Sequence, residues 1–177
     1  MVGVDDRAAA YQAVSYLIQQ GHRKIAVLGG PATSHPSMMR RQGAQQAMED
    51  AGIRFEDKLY GLSNYDFESA YHAMNGLLAR RAEFTALFAM SDVIAFGAIR
   101  ALVSAGFRVP EDVSVIGFDG ITMSRYCVPV MTTIVQPSEQ IALQSIELLV
   151  RQIEHGAPAQ TVTLQPELQQ GESVRAI

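Results

Sequence analysis

The chain has 177 residues, 48% of them apolar and 18% charged, enough for one domain with its own core and too apolar for a disordered tail. Its 14 Lys and Arg against 18 Asp and Glu leave a net charge of −4, and the cations form no stripe that could neutralise phosphates, so DNA binding by this piece alone is not expected. One cysteine excludes an internal disulfide, and no apolar run reaches the length of a membrane span or the h-region of a signal peptide, so the reading is a soluble, cytoplasmic piece with no membrane partner.

In chain order, Asp5 or Asp6 can cap a helix whose apolar positions Ala9, Ala10, Ala13, Val14, Leu17 and Ile18 recur every three or four residues until Gly21. Residues 24–28 read as a buried strand closed by Gly29-Gly30-Pro31, and 37–51 as a second helix with Gly52 behind it. Residues 58–62 make a short strand, Asp66 opens a third helix to about Arg80, and 85–89 is the next strand. Ser91 caps a helix ending at Gly106. The run 113–118 is the strongest strand of all. Past Asp119 the rhythm breaks: 120–131 is irregular, 132–135 is extended, Pro137 to about His155 is helical, and 161–168 is a last extended run.

Strands that are apolar throughout, alternating with amphipathic helices, predict an α/β fold built on a doubly wound parallel sheet. Helices of ten to fifteen residues between them are the right length for its crossovers. Phosphate-binding loops and nucleophile elbows are absent from the sequence. His22, His35, His72 and His155 have no ligand-like spacing to one another or to Cys127, so no metal, no cofactor and no catalytic residue is assigned. His22, following Gly21, is read as bonding the carbonyls at its helix end.

In such a sheet, ligands sit beyond the carboxyl ends of the strands. The polar and aromatic residues there are Ser34, His35 and Arg40 after the first strand, Tyr65 after the second, Ser91 and Asp92 after the third, and Asp119 after the fourth. A guanidinium and a carboxylate can hold neighbouring hydroxyls while an aromatic ring covers an apolar face, which is the mixture a sugar or polyol calls for. Each also has a plain structural role: Ser91 is explained as a cap, Arg40 could be solvated, and Asp119 could end a strand.

These residues also carry a resemblance. Val4-Asp5-Asp6, the run Gly21-His22-Arg23-Lys24-Ile25-Ala26, Gly29-Gly30-Pro31, Arg40 with Gly43, Ser91-Asp92 with Ala95 and Gly97, 109–119 and 132–137 together resemble the effector-binding region of the LacI/GalR family of transcriptional regulators. The resemblance implies a periplasmic-binding-protein-like fold, present here mainly as its C-terminal subdomain. Residues 1–134 would be that subdomain, 135–160 a crossover helix belonging to the other one, and 161–177 a return strand and tail. The helix-turn-helix that reads DNA, and most of the first subdomain, would precede this stretch. The effector, a sugar by preference, would meet Arg40, Tyr65, Ser91, Asp119, Gln136 and Ser34, with Gln136 at the crossover. Ser91 stands where the family often has Asn.

Family members pair two-fold, and the matching seam here is Phe96 with Tyr126, Cys127 and Val128, so a homodimer is expected. The loop 120–131 agrees independently, carrying more apolar area than a solvated loop usually shows. The 137–155 helix has too wide an apolar arc for docking on one side, so without the first subdomain it should leave an exposed patch, be covered by another chain, or be displaced. A solute-binding protein of a sugar transporter is the alternative function. A small α/β enzyme using Asp119 and His35 stands behind both.

Overall fold

The computed structural model describes residues 1–156 and 158–177. Its elements are β1 (Val2–Val4), α1 (Asp6–Gln19), β2 (Ile25–Gly29), α2 (His35–Asp50), β3 (Tyr60–Leu62), α3 (Phe67–Ala79) and β4 (Ala86–Ala89). There follow α4 (Asp92–Ser104), β5 (Ser114–Asp119), β6 (Thr132–Val135), α5 (Ser138–His155), β7 (Val162–Leu164) and β8 (Glu167–Gln169). Six strands form one sheet in the order β3-β2-β4-β5-β6-β8, parallel except for β8. Helices α1 and α2 pack together, as do α3 and α4, so the sheet is covered by a helix pair on each face. That burial explains why Ile25–Gly29 and Ala86–Ala89 contain no exposed position and no polar side chain.

Three helix starts follow their caps. Asp5 accepts the Ala8 N–H at 3.0 Å, Asp66 the Ser69 N–H at 2.7 Å, and Ser91 the Ile94 N–H at 3.1 Å. Asp5 alone caps α1, which leaves the carboxylate of Asp6 available for other work. Helices α1 and α2 approach closely because their facing positions are small: Ala9, Ala10 and Ala13 on one, Gly43, Ala44 and Ala47 on the other.

Two stretches depart from the sequence reading. Val2–Val4, expected within the 1–134 subdomain, lies outside the six-stranded sheet and pairs in parallel with Val162–Leu164. The run expected as one final strand divides at Gln165-Pro166: its first half pairs with β1, and its second half joins β6 antiparallel. Strands of three residues paired with such distant partners carry no local periodicity to read. Helix α5 contacts β1 and keeps an open face, with Leu143, Ile146, Leu149 and Ile153 each more than half exposed, as its wide apolar arc led us to expect. Within the 135–160 segment, Ala157 lies outside the described residues. No helix among the described residues is long and apolar enough to cross a membrane.

His22 meets its expectation through the backbone and does more with its side chain: its N–H bonds the Leu17 carbonyl at the helix end at 3.1 Å. Its ring joins the residue before β4 to the C-terminal tail, with Nδ1 2.9 Å from the Thr85 hydroxyl and Nε2 3.1 Å from the Arg175 carbonyl. The carbonyl can only accept, so Nε2 carries the proton and Nδ1 accepts from Thr85. Burial holds the ring's pKa below its ordinary value. The unfolded chain therefore binds the proton first, and His22 should withdraw stability as pH falls below about 6.5. In His22→Gln this acid-side loss should disappear from urea midpoints measured between pH 7 and 5. An unchanged slope would contradict the assignment.

Candidate functional site

The chain leaves β2 toward β3 on one side and returns to β4 on the other, so the sheet has its switch point between β2 and β4. Such a point, at the carboxyl ends of the strands, is where ligands bind in open α/β sheets. The start of α2 and the start of α4 face it from the two sides, and the end of β5 lies next to it.

Arg40, one turn into α2, is the centre of this rim and is buried, with 5% of its surface exposed. Its Nε donates to Asp6 Oδ1 at 2.7 Å, and its Nη1 donates to the Met90 carbonyl at 2.5 Å and faces Asp119 Oδ1 at 3.5 Å. The guanidinium carbon stands 3.7 Å above the centre of the Phe118 ring. A solvated role for Arg40 is thus excluded. A buried cation held by two carboxylates and a carbonyl is fixed in direction.

Asp119 ends β5 in the left-handed region, at φ 109°. Gln136 clamps it twice, through its side-chain amide on Oδ1 at 2.7 Å and its backbone N–H on the Asp119 carbonyl at 3.0 Å. Burial pushes the Asp119 carboxyl above its ordinary pKa, while Arg40 and Gln136 pull it down. In the hydrogen-bond network of the described residues, Arg40 Nη2 and Asp119 Oδ2 have no partner. The rim therefore presents an open donor on the guanidinium and an open acceptor on the neighbouring carboxylate.

Tyr65 also has a positive φ, 60°, and its ring lies against Gly30. Its hydroxyl is 2.7 Å from Ser37 Oγ, one helical turn before Arg40. Ser34 is half-buried at the head of α2, and its side chain makes no cap hydrogen bond. Ser91 is buried and its hydroxyl accepts from its own helix as the cap of α4. The structure thus joins Arg40, Asp119 and Gln136 directly, brings Tyr65 alongside through Ser37, and leaves Ser91 in its structural role. Asp92, wholly buried, accepts from Thr133 Oγ at 2.6 Å and from the Ile121 N–H at 2.8 Å. Burial pushes its pKa up to about 6.

Sequence reasoning missed Asp6, because a capping role accounted for it. The available signal was two adjacent acids at a helix start that needs one. It also passed over Phe118, which reads only as the last core position of a strand. Of the four seam positions, Tyr126 and Val128 are 77% and 94% exposed, whereas Phe96 and Cys127 pack against the core. The Cys127 thiol donates to the carbonyls of Ser124 and Pro129 at 3.3 and 3.1 Å. No group of three or more His, Cys, Asp or Glu among the described residues is gathered to hold a metal ion.

Residues 14–174 match the family described as a periplasmic binding protein-like domain. The chain is 37% identical over 172 residues to the HTH-type transcriptional regulator MalR of Clostridium butyricum, covering 97% of this chain and 51% of that protein. Among solved structures, it is similar to a complex of the transcriptional regulator CelR with cellobiose, at 34% identity and TM-score 0.93, covering 97% of this chain and 53% of that one. It is also similar to a sugar-binding transcriptional regulator of the LacI family from Escherichia coli complexed with phosphate, at 34% identity and TM-score 0.89, covering 98% and 63%. The chain spans about half the length of the curated relatives it matches.

Proposed function

The chain belongs to the periplasmic binding protein-like domain family, and from that premise we propose that it is the effector-binding part of a cytoplasmic LacI-type transcriptional regulator whose effector is a sugar or related polyol. The observation that carries this reading is the open pair on the rim, Arg40 Nη2 beside Asp119 Oδ2. Two neighbouring hydroxyls satisfy it together: one accepts from the guanidinium while the other donates to the carboxylate. Tyr65 supplies aromatic surface next to that pair, and the buried Phe118 ring supports the guanidinium from behind. The names of the relatives support the same class, since one is a cellobiose complex and another is described as sugar-binding.

Within this reading, α1 to β6 with β8 carry the subdomain that holds the effector, β1, α5 and β7 belong to a second subdomain, and DNA is read by another part of the regulator. Two copies pair through the loop bearing Tyr126, Cys127 and Val128, with Phe96 behind it. The matched relatives are transcriptional regulators, and no catalytic role is assigned to the rim.

Titration calorimetry with cellobiose, D-glucose, D-ribose and adenine tests the proposal. At least one of the sugars should bind, weakly, because a cleft closed from one side immobilises a ligand poorly. Asp119→Asn keeps the shape of the side chain but replaces one acceptor with a donor. It should weaken that binding by about tenfold or more, near 1.4 kcal/mol. Adenine binding with no sugar bound would overturn the ligand class. Sugar binding indifferent to Asp119→Asn would overturn the site.

A further inference from the structure

We infer that Asp92 is a positioning residue that ties the effector carboxylate, Asp119, to the exposed apolar loop 121–128, so that the two are set by one buried side chain. The inference rests on the effector reading of Asp119 and names a residue that would act without touching the ligand. Asp92 opens α4, behind the rim, and each of its carboxylate oxygens has a separate task. Oδ2 accepts the backbone N–H of Ile121, the residue at which the chain turns from the site into the loop. Oδ1 accepts the hydroxyl of Thr133 on β6, three residues before Gln136, the partner of Asp119.

The chain between Asp119 and Ile121 cannot hold this path unaided. Asp119 and Gly120 have φ of 109° and 70°, a region that an aspartate rarely enters without external bonds. Asp92 supplies one such bond, and Gln136 supplies another. The place is prepared for it: a Cβ on Gly117 would lie 2.2 Å from Asp92 Oδ1, so only glycine lets the carboxylate come this close to β5. Downstream, Met123, Tyr126 and Val128 stand in solvent on the segment that Ile121 begins. A carboxylate anchored on one helix thereby fixes a strained turn from the inside, with the effector contact on one side and the loop on the other.

The ionisable groups facing Asp92 are Asp119 at the end of β5 and Cys127 on the loop, and burial raises the pKa of all three. This gives a ligand-free test on the 177-residue chain. In NMR titrations from pH 7.5 to 4.5, we expect a shared midpoint near 6 in three places: the Ile121 amide, the amides of 123–128, and the side-chain amide of Gln136, which reads Asp119. Asp92→Asn should remove that component from all three while the far-UV circular dichroism stays unchanged. Thr133→Val removes a bond that favours the ionised carboxyl, so it should move the common midpoint upward by the same amount in all three. If Asp92→Asn leaves the Gln136 or loop titration in place, or if Thr133→Val moves Ile121 alone, the coupling is refuted. No sugar is needed, so the outcome is independent of whether any sugar binds.

Discussion

Arg40→Ala is expected to destabilise the fold by about 3–5 kcal/mol, the range for removing one partner of a buried ion pair. The side chain does not merely contribute a charge. Its removal strips Asp6, the Met90 carbonyl and Asp119 of a donor and opens space over Phe118. The loss should also depend on pH in a defined direction. Asp119 already titrates above its ordinary value, and without Arg40 it must rise further. Below neutrality the folded variant then holds more protons than the unfolded chain, so the variant gains stability as pH falls toward about 4. The gap to the wild type narrows accordingly. Arg40→Lys keeps the charge but cannot reach Asp6, Met90 and Asp119 at once, and should recover only part of the loss. Urea denaturation at pH 7 and 5 measures both quantities. A loss under about 1 kcal/mol at pH 7 would mean that the buried ion pair does not hold the rim together.

Gly43→Ala is the second large effect, and here two terms of opposite sign compete. In a helix interior alanine is favoured over glycine by about 1 kcal/mol. At position 43, however, the added Cβ would lie 2.0 Å from the carbonyl oxygen of Arg7 and 3.0 Å from the backbone nitrogen of Tyr11. Neither atom can swing away, because both belong to the backbone of α1. The two helices must separate, and Ala10, Ala13, Ala44 and Ala47, all nearly fully buried, lose their contacts across the seam. Overpacking of this kind outweighs the propensity gain, for a net loss of about 2–3 kcal/mol. Gly76→Ala provides the control. Position 76 lies in α3 with nothing within 4 Å of its would-be Cβ, so the propensity term acts alone and the variant should be stabilised. Thermal melts of the two variants moving in the same direction would overturn this account.

What the sequence discloses about this fold depends on how locally each feature is determined. The caps at Asp5, Asp66 and Ser91 are written in the next three residues, and the structure has all three. The core strands are equally legible, because a strand buried on both faces must be apolar at every position. The rim follows from topology once the strands are placed, and that alone puts Arg40 and Asp119 on it without any ligand. Gln136 came from the family resemblance alone, and its double clamp on Asp119 has no local signature. Asp6 and His22 illustrate the limit. Each had a sufficient local explanation, as a helix cap and as a partner for helix carbonyls. Each side chain is engaged by a distant element, Asp6 by Arg40 on α2 and His22 by Arg175 in the tail, even though the His22 N–H keeps its bond to the helix carbonyl of Leu17. A residue with a satisfactory neighbour in sequence gives no sign that its partner lies elsewhere.

The small sheet of β1 and β7 bears on the order in which the molecule assembles. It joins residue 2 to residue 162, closing nearly the whole chain into a loop of about 160 residues, at an entropic cost of about 4–5 kcal/mol. Three residue pairs cannot offset that cost in a free chain. Once the six-stranded sheet has formed, the path from β1 to β7 is already gathered and the same contact closes a far shorter effective loop. The β1–β7 pair is therefore a late event in folding, and its opening is a local one that leaves the main sheet standing. Helix α5, which rests on β1, is carried with it, so the layer bearing the open apolar face is also the layer most readily released.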